Sequence, residues 1–156
     1  MVNFYLKRAM KGLILTAVAI LGVLVAFKFK GLFHKIISIG LAISFLFSWS
    51  RNKYMITGSF IVFTLLSIIT FIYGQTVKEI DILKKISIIT MGFFLTISSI
   101  SKLFHFPATE VIKFSMIIPI IITLVVFFRE RQLTKEMSFM ILFSIYAVSE
   151  LLSLWI

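Results

Sequence analysis

Six apolar runs without a charged residue follow one another along this chain, and short basic clusters separate them. A helix needs about 20 residues to cross roughly 30 Å of hydrocarbon. The third run meets that length, and flanking Lys and Arg extend the shorter ones because their head groups reach the interface. The pattern therefore predicts six membrane-spanning helices. The runs are 12–27, 36–50, 54–77, 86–101, 114–128 and 137–149.

The expected fold class is all-α: a polytopic membrane helix bundle of about six transmembrane helices with short loops, in a single domain over 1–156. Joining the first two runs into one helix would put Lys28, Lys30 and Lys35 at the bilayer centre, where each charge costs at least about 2.5–3.5 kcal/mol. We therefore expect a tight turn near Gly31 and a first helix that is retained rather than cleaved. Five or four spans with re-entrant segments is the alternative. The predicted spans are about 5–27, 32–50, 54–74, 83–104, 109–128 and 136–156.

Composition agrees with a membrane location. Hydrophobic residues make up 60% of the chain and charged residues 14%, against roughly 25% charged in soluble domains. The absence of cysteine excludes disulfides and thiolate metal sites. The net charge of +10 indicates interfacial lysines that bind anionic lipid head groups. We do not expect nucleic acid as a partner, because no basic face exists outside the spans.

Basic residues give only a weak orientation. Seven Lys and Arg fall at the amino terminus and in the second and fourth loops, and nine fall in the other three loops. Because basic loops favour the cytoplasm, this places both termini outside it. An inverted repeat of two three-helix halves is an alternative source of the near balance.

One segment, 92–107, has the character of a motif. A helix rich in small residues ends in Lys102, followed by aromatics and by Pro107, which suits the first turn of a new helix. Glu110 then lies in that first turn, where the helix dipole favours an anion. The residues predict a tight helical hairpin at the membrane surface, with Lys102 reaching the interface.

This hairpin resembles two families of membrane proteins. Lys102, Leu103, Phe104, Phe106 and Pro107 match the Lys-Leu-Phe-x-Phe-Pro ending of a helix in DoxX-like small membrane proteins. Lys102, His105 and Pro107 also resemble the Phe-Lys-x-x-His-x-Pro-Gly hairpin of the gliding-motility L protein and related Bacteroidota membrane proteins. Ser101 and Ala108 depart from the latter pattern, and the helix at 109–128 lacks the interior acid that the resemblance would need for proton coupling. The DoxX-like resemblance implies contact of Lys102 and His105 with a quinone or a lipid.

Glu150 is the acid that lies deepest inside an apolar run. Tyr146, Ser149 and Ser153 share its helical face by their spacing. An intramembrane carboxylate marks a cavity, a partner or a proton path, whereas the alternative is a residue near enough to the chain end to reach head groups. Glu150 is therefore the candidate ionisable site, with Tyr146, Ser149 and Ser153 as its polar face.

Other polar or helix-breaking positions have structural alternatives. Pro119 removes a backbone hydrogen bond in mid-span and predicts a helix break. The hydroxyls of the third span form a partly polar face, which could line a narrow path, although packing against another helix is the favoured interpretation. With six spans, His34 and His105 fall in the first and fourth loops, on opposite faces. We therefore do not expect a paired haem site and interpret both as interfacial aromatics. The third-span hydroxyls are Thr57, Thr64, Ser67 and Thr70.

These features favour a small multi-pass protein of the cell inner membrane that acts as a subunit or accessory of a larger assembly, through other membrane chains or self-association. We expect no enzymatic activity, no catalytic residue, no metal and no cofactor. One alternative is a small oligomeric channel or a proton- or ion-coupled transporter that uses Glu150. A second is a quinone- or lipid-interacting accessory of the DoxX-like kind.

Overall fold

The computed structural model of the chain describes residues 16–17, 19–48, 50, 52–107, 109–130, 132–152 and 154. These residues form helices joined by short turns, with no strand among them. The prediction of an all-α helix bundle is confirmed. Much of the predicted span 5–27 lies outside the described residues. The helices are α1 Ala19–Lys28, α2 Leu32–Phe47, α3 Lys53–Thr76, α4 Ile82–Leu103, α5 Thr109–Ser115, α6 Ile117–Arg129 and α7 Met137–Leu152.

Three of these helical segments are long and apolar enough to cross a membrane. They are α3, α4 and the stretch Glu110–Arg129 that joins α5 to α6. Helices α1, α2 and α7 are apolar but shorter. The described part of the chain thus carries three full-length spans, and the count of six stays a prediction.

Local signals explain where the helices begin and end. The Asn52 side chain accepts a hydrogen bond from the Tyr54 amide at 2.9 Å and so caps α3. Asp81 caps α4 in the same way through the Leu83 amide at 3.2 Å. These caps satisfy amides that would otherwise lack a partner at the helix start.

The helix break that Pro119 predicts lies one turn earlier in the chain. Proline has no N–H to donate to the carbonyl four residues back, and its ring crowds that carbonyl. This carbonyl belongs to Ser115, where α5 ends, and α6 begins at Ile117. Met116, between them, is fully buried. The interruption therefore lies at a residue that is packed inside the bundle and is not open to the surroundings.

The bundle closes around α4 and α7. Helix α4 packs on α3 and α6, and α7 packs on α2, α4 and α6. The backbones of α3 and α4 approach each other closely: a Cβ at Gly92 would lie 2.7 Å from the Phe71 backbone nitrogen. Contacts this short are available only to glycine, so Gly92 sets the spacing of this helix pair.

Polar and apolar side chains divide between the inside and the outside of the bundle. Phe63, Phe139 and Phe143 form part of a buried apolar core. Large apolar side chains cover the outer faces, such as Leu65 at 54% exposed and Phe128 at 86%. This arrangement suits lipid outside and packed protein inside.

Replacing Gly92 by Ala should destabilise the bundle by about 1–3 kcal/mol, because the added methyl group overpacks the helix crossing and must push the Phe71 backbone away. Gly58→Ala, in α3, is the matched control because no atom lies within 4 Å of a Cβ there. It should stabilise by up to about 1 kcal/mol through helix propensity. Unfolding in mixed micelles measures both, and equal effects of the two variants would contradict the close approach.

Candidate functional site

Buried ionisable side chains gather at two places along α7. Glu150 lies near its end, and Glu136 immediately precedes its first residue. About 21 Å of helical rise separates them. We call the first group, Lys102, Tyr146 and Glu150, the Glu150 cluster, and the second, His34, Tyr73 and Glu136, the His34 cluster.

The Glu150 cluster joins α4 to α7 through a buried ion pair. Glu150 is 5% exposed, and its carboxylate pairs with the Lys102 ammonium. Lys102 also donates a hydrogen bond to the Tyr146 hydroxyl at 3.2 Å, and the hydroxyl is itself hydrogen-bonded to Glu150. Both charges are therefore compensated inside the protein, as a low-dielectric site requires.

Aromatic rings enclose this ion pair. The Lys102 ammonium lies 5.7 Å from the ring centre of Phe60 in α3 and 5.3 Å from that of Tyr146. Phe45 in α2 stacks on Tyr146 at 5.9 Å, and Phe63 in α3 lies 4.4 Å from it. Four helices thus converge on the pair, and the ring faces add cation–π attraction to the ammonium.

The predicted polar face of α7 is partly described. Tyr146 and Ser149 are buried, and the Ser149 hydroxyl donates to the Tyr146 carbonyl at 2.8 Å. Ser153 lies outside the described residues. The Ser149 hydroxyl is therefore satisfied within its own helix, and Tyr146 and Glu150 are the members of this face that contact Lys102 of α4.

The Lys102 side chain points into the bundle, away from the other residues of the predicted hairpin motif. We expected its ammonium at the interface, whereas it pairs with Glu150 in the bundle. His105, Pro107 and Glu110 are exposed. The structure does not bring these three together with the Lys102 ammonium as one site.

His105 instead ends α4. Its φ of 52° is the left-handed conformation that commonly follows a helix. The Phe106 amide donates to the Ser101 carbonyl at 3.0 Å, and the His105 amide donates to the Lys102 carbonyl at 3.3 Å. This pair of bonds is a Schellman motif and explains the tight turn without a ligand.

The hydroxyls of α3 do not line an open path. Thr64, Ser67 and Thr70 are buried and donate to the carbonyls four residues earlier at 2.7–2.9 Å. Thr57, which is exposed, does the same to Lys53 at 3.1 Å. These bonds satisfy the hydroxyls within the helix, which favours packing as their use.

The sequence interpretation missed the His34 cluster. His34 is 5% exposed and Glu136 is 3% exposed, so His34 is not the interfacial aromatic that we expected. Its Nε2 lies 3.3 Å from the Tyr73 hydroxyl and 3.9 Å from Glu136 Oε1. Successive helices run in alternating directions, so the starts of α2 and α7 lie at the same end of the bundle. The contact between His34 and Glu136 could have been predicted from this alternation.

A shallow recess lies on the outside of the bundle between α6 and α7, with a volume of about 250 Å³. Its walls are apolar apart from two hydroxyls, Thr123 and Ser144. Thr123 bonds to Ser87 of α4 at 2.8 Å, and Ser144 donates to the Met140 carbonyl at 2.7 Å. The recess therefore suits an apolar side chain or an acyl chain.

No family model, curated protein or solved structure matches this chain. Among the described residues, no group of three or more His, Asp or Glu could hold a metal ion. The described residues thus hold a buried ion pair at one end of α7 and a buried histidine–carboxylate pair at the other.

The ion pair predicts that the stability effects of substitutions at Lys102 and Glu150 are coupled. Glu150→Gln leaves the Lys102 ammonium facing a neutral amide, and Lys102→Met leaves a buried carboxylate without its counter-charge. Breaking a fully buried pair costs about 3–5 kcal/mol. Since the Lys102 side chain is 21% exposed and can reach water, we expect about 1–3 kcal/mol for each single change.

The double variant should cost less than the sum by at least about 1 kcal/mol, measured by unfolding in mixed micelles. The matched control pair is Asp81 and Arg129, whose side chains are 36% and 58% exposed. Asp81→Asn with Arg129→Met should give a coupling below about 1 kcal/mol. Additive effects of Glu150→Gln and Lys102→Met would contradict the ion pair.

Proposed function

We propose that this chain is a multi-pass protein of the cell inner membrane that acts as a subunit or accessory of a larger membrane assembly, without catalysis of its own. The observation that carries the proposal is the division between its inside and its outside. The buried charges of the Glu150 cluster are compensated within the bundle, and the outer faces are covered by large apolar side chains. The protein therefore meets its surroundings mainly through apolar helix faces and basic ends.

Short connections support this proposal. Only 48–52 separate α2 from α3, and 77–81 separate α3 from α4. Such connections leave contact between membrane helices as the main route to a protein partner, while the basic ends suit anionic lipid head groups. The recess between α6 and α7 is the place where we expect a partner helix to insert an apolar side chain, since packing drives helix association in lipid.

Affinity purification from the native membrane in mild detergent tests the proposal. We expect the 17.9 kDa chain to migrate in native gels within a larger complex that contains a second membrane chain at a fixed ratio, or further copies of itself. Leu124→Trp, which fills the recess, should weaken this association, whereas Phe128→Trp, on an outer face, should not. A lone chain with no co-purifying protein would contradict the proposal.

A second candidate function is ion-coupled transport, which the depth of Glu150 favours. Protonation of this carboxylate would release Lys102, so a proton could compete with the ion pair. If the chain transports protons, purified protein in liposomes should give a flux that Glu150→Gln abolishes. Glu110→Gln is the control because Glu110 is exposed in the first turn of α5.

The two candidates predict opposite outcomes in that assay. A subunit without transport of its own gives no flux above that of empty liposomes, with or without Glu150. A flux that depends on Glu150 and not on Glu110 would replace the first proposal by the second.

A further inference from the structure

The His34 cluster brings three chain segments together at the end of the bundle opposite Glu150. His34 belongs to the first turn of α2, Tyr73 to the last turn of α3, and Glu136 immediately precedes α7. Both His34 and Glu136 are more than nine-tenths buried. The cluster takes no part in the functions proposed above.

Two atoms of this cluster have no hydrogen-bond partner. They are Nδ1 of His34 and Oε1 of Glu136. The latter lies 3.9 Å from His34 Nε2, which exceeds hydrogen-bonding distance. Roughly nine in ten buried polar groups in proteins are satisfied, so these two exceptions mark the cluster as a candidate binding site.

The buried carboxylate of Glu136 lacks a close counter-charge. A charge removed from water needs a partner of opposite sign, and the nearest nitrogens, His34 Nε2 and Lys135 Nζ, each lie 3.9 Å from Glu136 Oε1. His34 Nε2 also lies 3.3 Å from the Tyr73 hydroxyl. One added proton would turn the imidazole into a cation beside this carboxylate.

Aromatic rings around His34 also favour a cation. Phe139 stacks on the imidazole with ring centres 5.8 Å apart. Phe33 and Tyr73 meet it edge-on, each at 5.6 Å. A charged ring held over an aromatic face gains cation–π attraction in a site from which water is excluded.

The other charges near the cluster lie on its periphery. Lys135, whose side chain is half exposed, approaches Glu136 Oε1 no closer than 3.9 Å. Lys35, next to His34 in α2, lies over the Phe27 ring at 5.3 Å. On the α3 side, Glu79 acts on Tyr73. Burial opposes a positive charge on the imidazole, and Lys135 opposes it further, whereas Glu136 favours it.

We propose that His34, Tyr73 and Glu136 form a proton-binding site. A hydronium ion from the adjacent aqueous face gives one proton to the imidazole, an N–H bond forms as an O–H bond breaks, and water leaves. The imidazolium Nε2 then donates towards Glu136 Oε1, and the half-buried Tyr73 hydroxyl accepts from it or turns to water. No electron is transferred.

Protonation at this site acts on the junction between α2 and α7. The two helices are already joined one turn further in by the Ser38 hydroxyl, which donates to the Ser138 hydroxyl at 3.2 Å. An ion pair between His34 and Glu136 adds a second link beside it. The site thus couples proton uptake to the packing of α2 on α7, whether or not the chain works as a subunit.

Nuclear magnetic resonance of the full chain in nanodiscs, labelled with ¹⁵N-histidine, tests the proposal. The chain has only two histidines, and exposed His105 serves as an internal reference. His105→Gly assigns the signals, since glycine tolerates the positive φ at that position. We expect the His34 ring nitrogens to change from neutral to imidazolium shifts as the pH falls from about 7 to about 4, because burial moves the change to lower pH than in an exposed histidine.

Glu136→Gln keeps the shape of the side chain and removes its charge. It should lower the proton affinity of His34 about tenfold or more, because an opposite charge at this distance favours the protonated form by that much. Glu150→Gln, at the other end of α7, should leave the His34 titration unchanged. A His34 that stays neutral throughout this range would overturn the proposal, as would one that titrates identically in Glu136→Gln. The absence of His34 protonation is measured on the wild-type chain, so that outcome does not depend on how the variants fold.

Discussion

Hydrocarbon offers no hydrogen-bond partner, and this constraint organises the whole bundle. A polar atom inside the membrane must find its partner in the protein. Lys102 and Glu150 meet the requirement by pairing across α4 and α7, and Ser87 bonds to Thr123 across α4 and α6 at 2.8 Å. The same constraint explains why the outward faces carry almost only large apolar side chains.

The two ends of α7 meet this constraint to different extents. The Glu150 cluster is neutral as a whole and enclosed by rings, whereas the His34 cluster leaves two buried atoms without partners. Aromatic contacts run between them: Phe139 stacks on His34, Phe143 meets both Phe139 and Phe63, and Phe63 lies against Tyr146. This packed core separates the two clusters along α7.

The sequence predicted the helices better than the contacts between them. Apolar runs and basic clusters mark α2 to α7 because burial in lipid depends on local composition, and Pro119 predicted a break because its effect is covalent and local. The pairing of Lys102 with Glu150 was not predicted. A lysine at a helix end can place its ammonium either at the membrane interface or in an ion pair inside the bundle, and the local sequence does not distinguish the two. Glu136 was missed because it lies at a helix start, where an acid is ordinary. Its burial depends on how α2 packs beside α7, which no single segment encodes.

If the outward faces of the bundle meet lipid while its polar side chains face inward, spin labels on the two sides of one helix will differ in their surroundings. The chain has no cysteine, so single spin labels can be placed at will. Leu65→Cys, on an outer face of α3 at 54% exposed, and Ser67→Cys, fully buried two residues later, make the most direct comparison. In lipid bilayers, we expect the label at position 65 to collide freely with oxygen and to be shielded from aqueous nickel. The label at position 67 should be immobile and shielded from both. Nickel access at position 65 equal to that of a water-exposed site would contradict this arrangement.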